Sequence, residues 1–125
     1  MSQKIRFGEV WLADLSPKVG TELGKLRPVL IIQDQMLLDA EHPSTLIIPL
    51  TTNLIDNAEP LRIRVKPTGR LERASDLIVD QIRAIDNQRL EGEPLTLCDQ
   101  EFMSKVHKSI FEVIGKSLQL SLLKR

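Results

Sequence analysis

The apolar period changes once along this chain of 125 residues. From Asp99 onward, apolar side chains fall at Phe102, Met103, Val106, Ile110, Val113, Ile114 and Leu118. That is one stripe at helical spacing, over about five turns, with Asp99 or Thr96 able to cap its start. Upstream, the apolar residues come in short runs instead. Val29-Leu30-Ile31-Ile32 and Leu46-Ile47-Ile48-Pro49-Leu50 read as buried strands. Pro49 has no N–H and marks a sheet edge or a bulge. Leu61-Arg62-Ile63-Arg64-Val65 alternates strictly, with its arginines outward. Phe7 to Leu15 reads as a strand with one wet face, and Ser75 to Ile85 contains another, centred on Leu77-Ile78-Val79. Asp34 to Ser44 is a polar excursion with room for a helical turn. Strands followed by a helix predict an α+β fold, a small barrel-like sheet with a long amphipathic helix at the C-terminus.

The length suits a single domain over residues 1–125. One cysteine, Cys98, excludes an intrachain disulfide and a multi-cysteine zinc site. No stretch approaches the roughly 18 apolar residues of a membrane span, and no apolar run of signal-peptide length follows Met1 to Arg6. A soluble, cytoplasmic protein with no membrane partner is expected. The net charge of zero is a cancellation. Residues 36–59 carry four acids and no Lys or Arg, whereas residues 60–90 carry seven basic residues against four acids. A zero total of this kind can hide one basic face, or only solvated strand edges.

Several chemistries are excluded by what the chain lacks. It has no phosphate-binding G-x-x-x-x-G-K-[ST], no G-x-G-x-x-G, no H-E-x-x-H and no G-x-S-x-G. Its two histidines, His42 and His107, cannot alone build a metal site, so no metal and no cofactor is expected. Three polar clusters remain. Gly20-Thr21-Glu22-Leu23-Gly24-Lys25-Leu26-Arg27-Pro28 is a glycine-punctuated loop ending in an arginine that Pro28 forces into extended backbone. Thr51-Thr52-Asn53 closes a buried strand, and Asp80-Gln81-Ile82-Arg83 follows another. Taken alone, each has a plainer and commoner reading: a hairpin with a surface arginine, a strand terminus, an exposed strand edge. Arg27 and Thr51 both stand at strand ends and can converge. A guanidinium fork beside a hydroxyl suits a phosphoryl group, and RNA cleavage by the 2′-hydroxyl needs such charge stabilisation at the phosphorus.

Read together, these segments resemble the MazF/PemK (Kid) family of bacterial toxins. Gly8-Glu9-Val10-Trp11-Leu12-Ala13-Asp14-Leu15-Ser16-Pro17, Gly20-Thr21-Glu22 and Arg27-Pro28-Val29-Leu30-Ile31 are similar to its opening signature. Ile48-Pro49-Leu50-Thr51-Thr52-Asn53 and Asp80-Gln81-Ile82-Arg83-Ala84-Ile85-Asp86 are similar to its later elements, in order and at fitting spacing. Leu23 stands where the family commonly has Gln, and Ile78 where the Kid branch has Arg. The resemblance implies a small SH3-like β-barrel with added helices, a homodimer, and a cognate antitoxin protein. It implies a metal-independent, sequence-specific endoribonuclease acting on single-stranded RNA and leaving 2′,3′-cyclic phosphate and 5′-OH ends. Carried over position by position, Arg27 and Thr51 fall on catalytic residues. Glu22, Asp80 and Gln81 fall on RNA contacts, with Thr21, Lys25, Asn53 and Ser75 as further substrate-binding candidates. The alternative on the same fold is a CcdB-like, non-enzymatic gyrase inhibitor. Residues 118–125 continue in helical pattern without a distinctive interaction tail, which favours the nuclease. With only Phe7, Trp11, Phe102 and Phe111 aromatic, base stacking is scarce. Recognition is expected to use base-edge hydrogen bonds in a groove partly formed by the dimer partner.

Overall fold

The structure, a computed structural model, describes residues 4–115. Seven antiparallel strands form one sheet: β1 (Glu9–Asp14), β2 (Leu26–Ile31), β3 (Ser44–Thr51), β4 (Arg62–Val65), β5 (Ser75–Ile78), β6 (Arg83–Asp86) and β7 (Leu90–Leu97). A short helix α1 (Gln35–Asp39) follows β2, and α2 (Gln100–Val113) follows β7. The strand order is β4-β5-β3-β2-β1-β7, with β6 also on β3. The strand expected within Ser75 to Ile85 is β5, and a further strand, β6, follows it after a 3-10 turn at Val79–Gln81.

The sheet is open, which corrects the expected barrel. β4 and β7 are its outer strands and no ladder joins them among the described residues. Arg70 ties the turn after β4 to β7: its N–H donates to the Leu95 carbonyl at 2.7 Å and its Nη1 lies 3.5 Å from Glu93 Oε2. Pro49 marks neither an edge nor a bulge. It lies on central β3, where the strand passes from β6 (Ser44 to Ile47) to β5 (Leu50 and Thr51). That side of the strand has no ladder partner at Pro49, so its missing N–H leaves no bond unmade there.

Alternation along the central strands builds two cores. Val10, Leu30, Ile48 and Leu50 face one side, packed with Ile63, Val65 and Leu77 and with Met103 and Val106 of α2. Trp11, Ala13, Val29, Ile31 and Ile47 face the other, with Leu15, Ile85 and Leu90. Strands buried on both faces read as unbroken apolar runs, whereas outer β4 alternates. The helix begins where the stripe predicts: the Asp99 carboxylate accepts from the Phe102 N–H at 2.8 Å. The stripe residue Leu118 lies outside the described residues, as do residues 118–125 as a whole. No described helix is long and apolar enough to cross a membrane.

Candidate active site

Arg27 opens the buried part of β2. The β2–β3 ladder pairs Val29 with Pro49 and Leu30 with Ile48, and the same register carried two residues further sets Arg27 opposite Thr51. On its other side Thr51 pairs with Asp76 of β5, and Asp76 with Arg64 of β4. Opposed residues in antiparallel strands project to one face. Arg27, Thr51, Asp76 and Arg64 therefore form one row across the sheet. Ile78 and Arg62, also paired, form part of the next row on that face.

The half-buried Arg27 side chain is held by the backbone alone. Its Nε donates to the Gly24 carbonyl at 3.0 Å and its Nη1 to the Leu50 carbonyl at 3.1 Å. A guanidinium has five N–H groups, so three remain for a ligand. Among the described residues Arg27 has no ion-pair partner. Burial lowers its pKa from the ordinary value, but an arginine stays charged near neutrality. The result is a fixed cation whose charge no carboxylate offsets. Gly24, one of the two glycines that punctuate the loop, supplies one of the two anchoring carbonyls. A Cβ there would sit 2.7 Å from the Lys18 Cβ, so only glycine lets the two limbs of the loop close beneath Arg27.

Thr51 is half-buried at the end of β3, and its Oγ1 accepts from the Asn53 N–H at 3.2 Å. Its own O–H is left to donate to a ligand. Thr52 lies beyond the strand and is exposed. A groove of about 380 Å³ opens on the same face, and Thr21, Asp80 and Gln81 converge in it. Leu23, Ile55, Ala58, Leu61, Arg62 and Ile78 complete its lining. Glu22, Lys25 and Asn53 are exposed but outside that lining. Lys25 has positive φ, with its N–H bonded to the Ser16 hydroxyl. Ser75 is turned inward: it is 1% exposed and its hydroxyl donates to the Arg73 carbonyl at 3.1 Å.

Sequence reading missed a second charged group on this face. Asp76 is buried, with Oδ1 2.6 Å from Arg64 Nε and Oδ2 3.4 Å from Arg62 Nη1. It also accepts from the Ile55 N–H at 2.9 Å. Burial pushes its carboxyl up, but the bonds from Arg64 and Ile55 and the two arginine charges outweigh that and hold its pKa below the ordinary value. Arg64 is raised in turn, first by its hydrogen bond to Asp76 and then by that to Asp56. The available signal was the strict alternation of β4, which puts Arg62 and Arg64 on one face. His107 is exposed, its ring centroid 5.6 Å from that of Phe7. Among the described residues no three His, Cys, Asp or Glu side chains are grouped to hold a metal ion.

The sequence model of the PemK-like, MazF-like toxins of type II toxin–antitoxin systems matches residues 6–114. The chain belongs to this family. It is 36% identical over 108 residues to "Endoribonuclease EndoA" of Bacillus subtilis, covering 85% of this chain and 90% of that one. Its fold is that of a crystal structure of MazF from Deinococcus radiodurans, with a TM-score of 0.75 at 17% identity over 91% of this chain and 99% of that one. An endoribonuclease in complex with its cognate antitoxin, from mycobacterial species, matches with a TM-score of 0.67 at 18% identity, covering 91% and 96%. The sheet-dominated fold of this family member is therefore MazF-like, and the row containing Arg27 and Thr51 lies within the matched segment.

Proposed function

We propose that this toxin-family chain is an endoribonuclease that cuts single-stranded RNA at a specific sequence without a metal ion. The observation that carries the reading is Arg27: a half-buried cation, fixed by two carbonyls, opposed in register by the Thr51 hydroxyl. The RNA 2′-hydroxyl attacks its own phosphate. The P–O bond to the 5′-oxygen of the next nucleotide breaks, and that oxygen takes up a proton to match the one the 2′-hydroxyl loses, leaving a 2′,3′-cyclic phosphate and a 5′-OH. Negative charge grows on the phosphoryl oxygens as this happens. Preorganised donors aimed there stabilise it without reorganisation, and the free N–H groups of Arg27 and the O–H of Thr51 are such donors. Asp80, Gln81 and Thr21 offer acceptors and donors to base edges in the adjoining groove. Glu22, Lys25 and Asn53 contact RNA around it, and Ser75 acts only by supporting β5. The curated relative's name supports the nuclease over a CcdB-like inhibitor.

The active form in this reading is a cytoplasmic homodimer of one-domain protomers (residues 1–125). Each sheet is open between β4 and β7, with the contacts of Arg70 to Leu95 and Glu93 across the gap. A cognate antitoxin lays an acidic, partly disordered tail over the loop from Glu22 to Arg27, pairing carboxylates with Arg27 and Lys25. The test is incubation of the purified chain with a long single-stranded RNA in EDTA, followed by analysis of the fragment ends. Discrete fragments with 5′-OH and cyclic phosphate ends are expected. Cleavage that appears only on adding a divalent cation, or leaves 5′-phosphates, contradicts the reading.

A further inference from the structure

We propose that Asp76, through Arg64 and Arg62, positions the wall of the substrate groove beside the reactive centre by clamping the segment Asn53–Asp56. This rests on the nuclease reading above, and assigns that site residues beyond those carried by resemblance. Between the ends of β3 and β4 the chain from Thr52 to Leu61 has no helix or strand of its own. Its shape is imposed from the neighbouring hairpin. Asp76 Oδ2 accepts from the Ile55 N–H at 2.9 Å, Arg62 Nη1 donates to the Asn53 carbonyl at 2.8 Å, and Arg64 Nη2 donates to Asp56 Oδ1 at 2.8 Å. Arg64 spans the clamp, because its Nε is 2.6 Å from Asp76 Oδ1.

The clamped segment has two functional ends. The Asn53 N–H bonds the Thr51 Oγ1, so fixing Asn53 orients the hydroxyl beside Arg27. Ile55 and Ala58 form a wall of the groove that holds Asp80 and Gln81. A purely structural ion pair has no use for these bonds to the segment. In particular, the Asp56 side chain is 80% exposed, and an exposed pair of this kind adds little to stability. Its geometry serves position.

The variant Asp56→Ala therefore separates the two roles. It leaves the buried Asp76 pairs intact, so the melting temperature is expected to stay within about 2 °C of the unmodified chain. The apparent KM for a long single-stranded RNA is expected to rise on the order of tenfold, with kcat within about threefold, because the groove wall is loosened while Arg27 stays in place. Arg64→Lys should show the same split, since one ammonium cannot replace Nε and Nη2 at two carboxylates. The double variant should be no worse than Arg64→Lys alone. Hydrogen exchange supplies a readout independent of cleavage: the Ile55 amide should lose protection about tenfold in both variants. Unchanged Ile55 protection, or a KM unchanged from the parent, overturns the clamp. If the unmodified chain cuts no RNA while Ile55 protection behaves as expected, the nuclease reading fails and the clamp's role in that reaction falls with it, as distinct from the clamp itself.

Discussion

Two arginine arrangements share one face of the sheet, and they differ in what holds them. Arg27 is anchored on the carbonyls of Gly24 and Leu50 and meets no carboxylate among the described residues. Arg64, in the same row, lies between Asp76 and Asp56, and Arg62 in the next row shares Asp76. Neutral acceptors fix a guanidinium and leave its charge to act outward. Carboxylates fix it equally well and neutralise it. A count of basic residues in this part of the chain would rank the β4 pair above Arg27, yet the uncompensated charge is at Arg27, the group proposed to meet the phosphate.

The contrast yields an ordered set of outcomes. The largest among conservative changes is at Arg27→Lys, which keeps the charge but loses the fork that grips two carbonyls and, in the proposed mechanism, faces a phosphate. Single-turnover cleavage should fall about 10²-fold with the melting temperature little changed. Next is the hydroxyl: Thr51→Val should slow cleavage roughly tenfold or more, whereas Thr52→Val should stay within about threefold, because only Thr51 shares the row with Arg27. A larger loss at Thr52 means the β2–β3 register does not extend to Arg27. On the neutralised side the effect is on stability. Asp76→Asn should lower unfolding free energy by about 1–3 kcal/mol in chemical denaturation, by weakening charged hydrogen bonds at a buried site.

The smallest effect is a pH dependence confined to that side. The Asp76 carboxyl titrates below its ordinary value in the folded chain, against about 3.9 when unfolded. Its stabilisation is therefore complete above about pH 5 and is lost as pH falls through the lower, folded value. Denaturation midpoints between about pH 5 and pH 2 should drop less steeply in Asp76→Asn than in the parent. Equal slopes would mean that Asp76 is not held ionised by its arginines.

What could be read from the sequence follows the range of the interactions. The alternation in β4, the unbroken runs in β2 and β3 and the stripe of α2 are local signals of burial, and each located its element. Arg27 was legible because Pro28 and the glycine loop mark it within a few residues. β7 escaped notice because Glu91, Gly92, Glu93 and Pro94 are the residues of an outer strand open to solvent, and they interrupt any apolar pattern. Whether the sheet closes was not legible, because closure is a relation between β4 and β7, far apart in sequence. Asp76 was invisible for the same reason: its partners Ile55, Arg62 and Arg64 lie 21, 14 and 12 residues away, and no local pattern signals that they meet.

The most direct test compares the two sides in one measurement: the single-turnover cleavage rate at saturating single-stranded RNA, in EDTA, for Arg27→Ala and Arg64→Ala beside the unmodified chain. Arg27→Ala is expected to lose about 10²–10³ in rate, and Arg64→Ala to stay within about threefold once RNA saturates it. A rate for Arg27→Ala near that of the unmodified chain, or an equal loss at Arg64→Ala, would contradict the assignment of the chemistry to the uncompensated arginine.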